Sequence, residues 1–305
     1  MADLTARTKT ALDETRTIIL GAEVLFGFQF NGVFRDAYER LPPSSRYLDT
    51  LALILMATTV AILIAPPIYH RVIAAGQDTG WMHDRICTMT RAALLPFAIS
   101  LGLDLHITFG WVAGVPVGLT AGIAFAALAL FWWYGFELLR RRTHGRKERA
   151  MVEEERNETA RTPLHAKIEQ MLTEARVVLP GAQALLGFQL AVVVTESFGK
   201  LPSLSKAVHA GSLACLAVTI VLLMAPAAYH RIVYAGEDNP DVHRTGSIMI
   251  TAATVPLALG IAGDIFVVIA KVFESSAVGF AAAAAALAGF VGLWHVYPAV
   301  RRAEG

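Results

Sequence analysis

Long apolar segments alternate with short polar connections along nearly the whole chain. Each segment approaches or exceeds the ~20 residues that an α-helix needs to cross the hydrocarbon core of a bilayer, and each carries little charge. This pattern predicts membrane-spanning helices, which tolerate glycine and proline better than soluble helices do. We predict eight spans, at Thr17–Phe34, Tyr47–Tyr69, Ile86–Ile107, Trp111–Leu139, Val177–Val194, Val208–Tyr229, Ser247–Ala270 and Ala277–Tyr297.

The last four spans repeat the first four at an offset of 160 residues. RTIILGAEVLFGFQ at Arg16–Gln29 returns as RVVLPGAQALLGFQ at Arg176–Gln189, and APPIYHRVIAAGQD at Ala65–Asp78 returns as APAAYHRIVYAGED at Ala225–Asp238. Internal repeats determine the architecture, so they are considered before single residues. They also provide a comparison within the chain, because a side chain present in both halves occurs at two equivalent positions.

The repeat divides the chain into three parts. Residues 1–140 form a first four-helix membrane repeat, 141–162 a charged cytoplasmic linker, and 163–305 a second four-helix membrane repeat. Because four spans return the chain to its starting side, both repeats should enter the membrane from the same side. The predicted fold class is therefore an all-α, polytopic integral membrane protein with two parallel repeats, unlike the inverted repeats of many transporters.

The distribution of Lys and Arg predicts the orientation. These residues collect before span 1, between spans 2 and 3, and after span 4, and the positive-inside rule places such segments in the cytoplasm. Both termini are therefore expected to be cytoplasmic. The loop between spans 1 and 2 argues against this assignment, because it would face outside while carrying Arg35, Arg40 and Arg46.

Composition narrows the classes of function. Hydrophobic residues make up 55% of the chain and charged residues 17%, and the formal net charge of +1 does not favour nucleic-acid binding. Cys87 and Cys215 are not at equivalent positions, and we interpret them as small apolar packing residues. No phosphate-binding glycine loop, nucleophile elbow or metal-ligand spacing is present, so we expect no enzyme, no cofactor and no metal site.

Two equivalent aspartates, Asp104 and Asp264, lie in apolar segments, and Gln29 and Gln189 could donate hydrogen bonds to them. An ionised carboxylate in a bilayer helix costs at least about 2.5–3.5 kcal/mol, so such groups often mark ion or proton pathways. The alternative is a hydrogen-bonded tie between helices, or a carboxylate near the outer interface. A continuous polar cavity at both carboxylates would favour a pathway, and sealing by neighbouring side chains would favour a tie.

A stripe of small and polar residues runs along span 1. It consists of Arg16, Leu20, Glu23, Gly27 and Asn31, and its counterpart in span 5 consists of Arg176, Pro180, Gln183, Gly187 and Ala191. Small residues allow close helix packing, and a pore lining is the alternative. Glu23 and His106 each occur in only one half, so the repeat gives them less weight as functional candidates.

Basic residues gather at the predicted cytoplasmic face of each half. They are Arg16, His70, Arg71 and His83 in the first half, and Arg176, His230, Arg231 and His243 in the second. We predict a basic cluster in each half that binds anionic lipid headgroups or another anion, or that senses pH. The alternative is ordinary interfacial anchoring combined with hydrogen-bonded loop histidines.

Each half resembles a bacterial family of four-helix membrane proteins, the domain of unknown function 6328. The resemblance rests on LPGAQALLGFQL, which begins at Leu179, and on AP-x-x-YHR at Ala225–Arg231. It covers most of both halves and excludes the linker. It implies a bacterial plasma-membrane protein built from a four-helix unit, here in tandem, and it implies no activity.

These observations lead to a functional prediction. We expect a multi-pass protein of the bacterial inner membrane that provides an ion or proton pathway, or is transporter-like, through Asp104, Asp264, Gln29 and Gln189. The alternative is a non-catalytic structural or lipid-binding membrane module. The expected partners are membrane lipids, including anionic headgroups; a homo-oligomer is left open, and nucleic acid is not expected.

Overall fold

The computed structural model describes residues 2–135, 162–235 and 237–304, and these residues are almost entirely helical. Nearly all of the predicted linker 141–162 lies outside the described residues. The helices are α1 (Ala2–Gly32), α2 (Pro43–Val72), α3 (Gly80–Ala113), α4 (Val115–Leu130), α5 (Leu164–Val193), α6 (Glu196–Gly199), α7 (Ser203–Tyr234), α8 (Pro240–Val272), α9 (Ser276–Val291) and α10 (Tyr297–Glu304). A 3₁₀ helix covers Asp36–Arg40, and π-helical turns cover Phe131–Gly135 and Gly292–Val296.

Seven of the described helices are long and apolar enough to cross a membrane. They are α2, α3, α4, α5, α7, α8 and the continuous helix formed by α9, its π-helical turn and α10. The chain is therefore an all-α protein with the helices of a multi-pass membrane protein. The predicted first span lies in α1, which is not among the seven, because its N-terminal half is charged and Glu23, Gln29 and Asn31 interrupt the rest.

The two halves repeat each other in secondary structure. α3 begins at Gly80 and α8 at Pro240, which are 160 residues apart. The preceding side chains, Thr79 and Asn239, accept hydrogen bonds from backbone N–H groups of these first turns, which satisfies donors that have no partner within the helix. The short helix α6 occupies the place of the 3₁₀ helix in the first half.

The packing of the two halves is not repeated. α2 and α8 are the most buried spans, whereas their sequence counterparts, α7 and α3, are much less buried. α2 contacts the second half through Ala61, whose carbonyl accepts a hydrogen bond from Trp294 Nε1 at 2.8 Å. Tyr47 at the start of α2 stacks on Phe273 after α8, with ring centroids 5.1 Å apart. Equivalent helices therefore have different surroundings in the two halves.

α1 and α5 lie side by side and join the halves. Lys9 forms an ion pair with Glu169 at 2.5 Å, and the rings of Phe28 and Phe188 have centroids 4.7 Å apart. Both pairs join residues that are 160 positions apart. Nineteen residues separate the two contacts along each helix, or about 28 Å at 1.5 Å per residue. Matching residues of α1 and α5 therefore lie at matching heights.

Candidate functional site

The glutamine and aspartate expected to pair are in contact in both halves. Gln29 Nε2 donates a hydrogen bond to Asp104 Oδ2 at 2.8 Å and another to Ser100 Oγ at 2.9 Å. Gln189 Nε2 donates to Asp264 Oδ1 at 2.6 Å. These bonds connect α1 to α3 and α5 to α8. A hydrogen bond of this kind between membrane helices contributes about 0.6–2 kcal/mol.

The two aspartates differ in their access to solvent. Asp264 and Gln189 are fully buried, and the second carboxyl oxygen of Asp264 has no hydrogen-bond partner among the described residues. Asp104 instead lines an open cavity of about 470 Å³. The second half thus meets the condition for a tie, whereas in the first half Asp104 faces an open cavity lined by both polar and apolar side chains. A continuous polar cavity at both carboxylates, the condition for a pathway, is not met among the described residues.

The cavity lies where α1 ends, α2 begins and α3 ends. Its polar lining includes Asp104, Asp49, Gln29, Arg35 and Tyr38. Burial, and then the nearby charge of Asp49, raise the pKa of the Tyr38 hydroxyl well above its usual range, so this hydroxyl keeps its proton and can donate it in a hydrogen bond. Asp49 and Asp104 outnumber Arg35 among the charged lining residues, so this is an acidic cavity that favours protons or cations.

Asp49 is a functional candidate that was missed from the sequence. It lies near the start of a span, and His209 occupies its place in the second half, so the repeat gave no reason to select it. Asp49 could have been selected from the sequence because it is a carboxylate within the first two turns of a largely apolar helix.

Glu23 requires a correction to the sequence-based ranking, which gave it less weight because Gln183 replaces it in the second half. The structure buries Glu23 completely, and neither carboxyl oxygen has a hydrogen-bond partner among the described residues. The carboxyl group lies over Gly181 of α5, where an added Cβ would be 1.3 Å from Oε2. The glycine therefore provides the room for this side chain between α1 and α5.

The contact between α1 and α5 forms a seam with the cavity at one end. A buried network of charged groups lies at the other end of this seam. His70 Nδ1 donates a hydrogen bond to Glu174 Oε1 at 2.5 Å, and Arg71 donates to the other oxygen of Glu174. His70 Nε2 lies 3.5 Å from Asp78 Oδ1. Gln170 Nε2 is 2.8 Å from each oxygen of Asp78. The network joins α2 and the loop after it to α5, so it fastens the first half to the second.

The predicted basic residues do not form two matching clusters. His70 and Arg71 belong to the buried network, and His243 of the second half lies close to it, with its ring against Gly76. The remaining predicted members lie outside the network. Arg16, Arg176 and Arg231 are exposed, and His83 and His230 are half-buried.

The acidic members of the network carry a signal in the sequence. Glu174 has a counterpart in Glu14, and Asp78 has one in Asp238, so both acids occur in both halves. They lie near the same helix ends as the repeated histidines and arginines. A search for repeated charges of both signs would therefore have selected them.

Comparisons with known proteins identify the family. The family model described as "Family of unknown function (DUF6328)" matches residues 4–137 and 157–298, which is one segment in each half. No curated protein and no solved structure matches the chain. The family match covers most of the chain and confirms the resemblance found in the sequence motifs. The chain therefore belongs to the family of unknown function DUF6328.

Proposed function

We propose that this protein carries protons across a membrane along the seam between α1 and α5. The observation that carries the proposal is the carboxyl group of Glu23, which is buried without a partner between the acidic cavity and the buried charge network. An ionised carboxylate in a membrane interior costs at least about 2.5–3.5 kcal/mol. A partnerless carboxyl group at this place is therefore a candidate proton carrier.

The proposal includes eight spans in two parallel repeats, with α1 as the eighth span. α1 lies beside its counterpart α5, which is a candidate span, and the contacts Lys9–Glu169 and Phe28–Phe188 bring matching residues to matching heights. Two equivalent helices at equal height fit a pseudo-rotation axis along the membrane normal. The positive-inside rule would place both termini in the cytoplasm, and the sequence motifs favour a bacterial inner membrane.

The spacing of the polar groups suits a relay. Gln29, which binds Asp104, is six residues from Glu23, or about 9 Å along α1. Gly181, beneath Glu23, is seven residues from Glu174, or about 10 Å along α5. The three sites thus extend over about 20 Å of a hydrocarbon core of roughly 30 Å. Buried carboxylates and histidines at such intervals are the groups from which proton relays are built.

The closed seam favours protons over hydrated ions. The cavity that contains Asp104 does not include Glu23 in its lining. A hydrated ion needs a continuous opening, whereas a proton needs only titratable groups and waters that enter transiently.

The alternative is a structural role without transport, and one observation in the second half favours it. The hydrogen bond between Gln189 and Asp264 is fully buried. We assign this pair the role of a tie between α5 and α8. Lipid binding by His70 and Arg71 has little support, because both already pair with buried acids. Arg176 and Arg231 are exposed and remain suitable for anionic headgroups.

Proton flux in liposomes tests the proposal. The purified protein is placed in liposomes that contain a pH-sensitive dye, and a potassium gradient with valinomycin imposes the membrane potential. Wild-type protein should acidify or alkalinise the lumen according to the sign of the potential. Glu23→Gln should lower the flux at least tenfold, because the amide cannot carry the proton, whereas the exposed Glu14→Gln should keep it.

The folded state is checked in the same preparations. Glu23→Gln should retain the elution volume and the melting temperature of the wild type, because it loses no hydrogen bond. Absence of flux in the wild type, or unchanged flux in folded Glu23→Gln, contradicts the proposal.

A further inference from the structure

The contact between the two halves uses different faces of equivalent helices. In the α1 stripe, Glu23 and Asn31 are buried, and an added Cβ at Gly27 would lie 2.0 Å from the ring of Phe188. In the matching stripe of α5, Gln183 is exposed, and nothing lies within 4 Å of an added Cβ at Gly187. The second half therefore covers the α1 stripe from Glu23 to Asn31, while the matching part of the α5 stripe, from Gln183 to Ala191, is uncovered among the described residues.

The apolar surfaces differ in the same way. Phe34, just after α1, is 0% exposed and Ala61 of α2 is 7% exposed. Both face the second half, because Lys271 Nζ lies 5.8 Å from the centroid of the Phe34 ring and Trp294 donates a hydrogen bond to the Ala61 carbonyl. The counterparts of Phe34 and Ala61 are Val194 and Val221, which are 86% and 66% exposed. On the first half, the ring of Phe28, which corresponds to the packing ring of Phe188, is 60% exposed.

The charged side chains at the end of the seam that contains the buried network also differ between the two halves. Arg71 pairs with Glu174 between the halves, but the counterparts Arg231 and Glu14 are both exposed. They lie in different halves, with opposite charge, at the positions that the existing contact brings together. His230, the counterpart of His70, has a buried Nε2 without a hydrogen-bond partner among the described residues.

A contact between different faces of equivalent units is heterologous, and it leaves one of each face free at the ends of the pair. We propose that a second copy of this chain binds head to tail and repeats the contact between the halves. The first half of one copy covers the α5 stripe of the other, with Phe28 against Gly187 and Glu14 beside Arg231. Two copies are the smallest assembly in which every such face is covered.

The complementary charges and the matched positions favour a second copy over lipid as the occupant. Lipid chains cover exposed apolar side chains of any membrane protein. They do not account for an exposed acid in one half and an exposed arginine in the other at positions equivalent to an ion pair already present in the chain.

Disulfide formation between two differently tagged copies tests the contact. Cys87 and Cys215 are first replaced by alanine, and one tagged copy then carries Phe28→Cys while the other carries Gly187→Cys. Co-expression in membranes followed by oxidation should link the two tags in more than half of the chains. A chain with both Gly27→Cys and Phe188→Cys is the positive control, because it forms the same contact internally.

The single substitutions distinguish this contact from others. Each cysteine copy expressed alone should give little dimer, because head-to-tail binding brings together different positions. Dimers through identical positions, or no link between the two tags while the positive control reacts, would overturn the proposal.

Charge reversal provides a measurement without cysteines. Arg231→Glu should weaken self-association at least tenfold in detergent or nanodiscs, and adding Glu14→Arg should restore it. Native mass spectrometry of the wild type should show two copies. A single copy under conditions that retain bound lipid would contradict the proposal. Because Glu14 and Arg231 lie outside the proton relay, loss of dimer without loss of flux separates this inference from the proposed function.

Discussion

Replacing Arg71 by methionine should destabilise the protein strongly, whereas the same change at Arg231 should not. Met keeps the apolar bulk of the side chain and removes its charge and donors. At position 71 it leaves the carboxylate of Glu174 buried with His70 as its remaining partner in the described residues. Arg231 occupies the equivalent place in the repeat but is exposed. The chain therefore contains its own matched control.

The magnitude follows from the burial of the pair. The side chains of Arg71 and Glu174 are 7% and 2% exposed. Removing one partner from a buried ion pair costs about 3–5 kcal/mol. Here the loss of Arg71 leaves His70 alone to balance the carboxylates of both Glu174 and Asp78. A surface substitution usually changes the free energy of unfolding by less than about 0.5 kcal/mol. For 305 residues an unfolding entropy of about 2.1 cal/mol/K per residue gives about 1.6 °C per kcal/mol, so Arg71→Met should lower the melting temperature by roughly 5–8 °C.

Thermal unfolding in detergent, at concentrations where the chain is a single copy, provides the assay. Arg71→Met with Glu174→Met should recover much of the loss, because neither charge is then buried alone. Equal shifts at positions 71 and 231 would refute the reasoning, since they would mean that the two halves hold these arginines alike. A shift below 1 °C at position 71 would refute it as well.

Two further substitutions test the packing between the two halves. Gly27→Ala should lower the free energy of unfolding by about 1–3 kcal/mol, because its Cβ would overlap the ring of Phe188. Gly187→Ala should be neutral or slightly stabilising in a single copy, because nothing lies near its Cβ. Equal effects of the two substitutions in thermal unfolding would argue against this packing. Trp294→Phe should cost at least about 0.5–1.5 kcal/mol in the same assay, because the hydrogen bond to the Ala61 carbonyl is lost and the smaller phenyl ring leaves a void at a fully buried site. A neutral result would remove that bond from the contact between the halves.

Much of the secondary structure could be predicted because the length of each apolar segment can be read directly from the sequence, and the repeat shows which segments correspond to each other. Seven of the predicted spans fall in helices that are long and apolar enough to cross a membrane. The pairs Gln29–Asp104 and Gln189–Asp264 could also be anticipated, because polar side chains in neighbouring membrane helices have few other partners.

The different surroundings of the two halves could not be predicted in the same way. A repeat assigns equal importance to equivalent residues, but a heterologous contact places them in different environments. Glu23 lies in the seam because the second half covers α1, and His70 is buried because α5 supplies Glu174. Neither environment is visible in the residues near Glu23 or His70 along the chain, because both depend on which face of one half meets the other.

The proton pathway in the first half is tested most directly by comparing Asp104→Asn with Asp264→Asn in the liposome flux measurement. Both variants keep an acceptor oxygen for the glutamine amide and lose one titratable carboxyl group. Asp104→Asn should reduce proton flux at least tenfold, because its carboxylate lines the open cavity, and Asp264→Asn should conduct like the wild type, because its carboxylate is sealed. Equal flux in the two folded variants, or a loss confined to Asp264→Asn, would contradict the account.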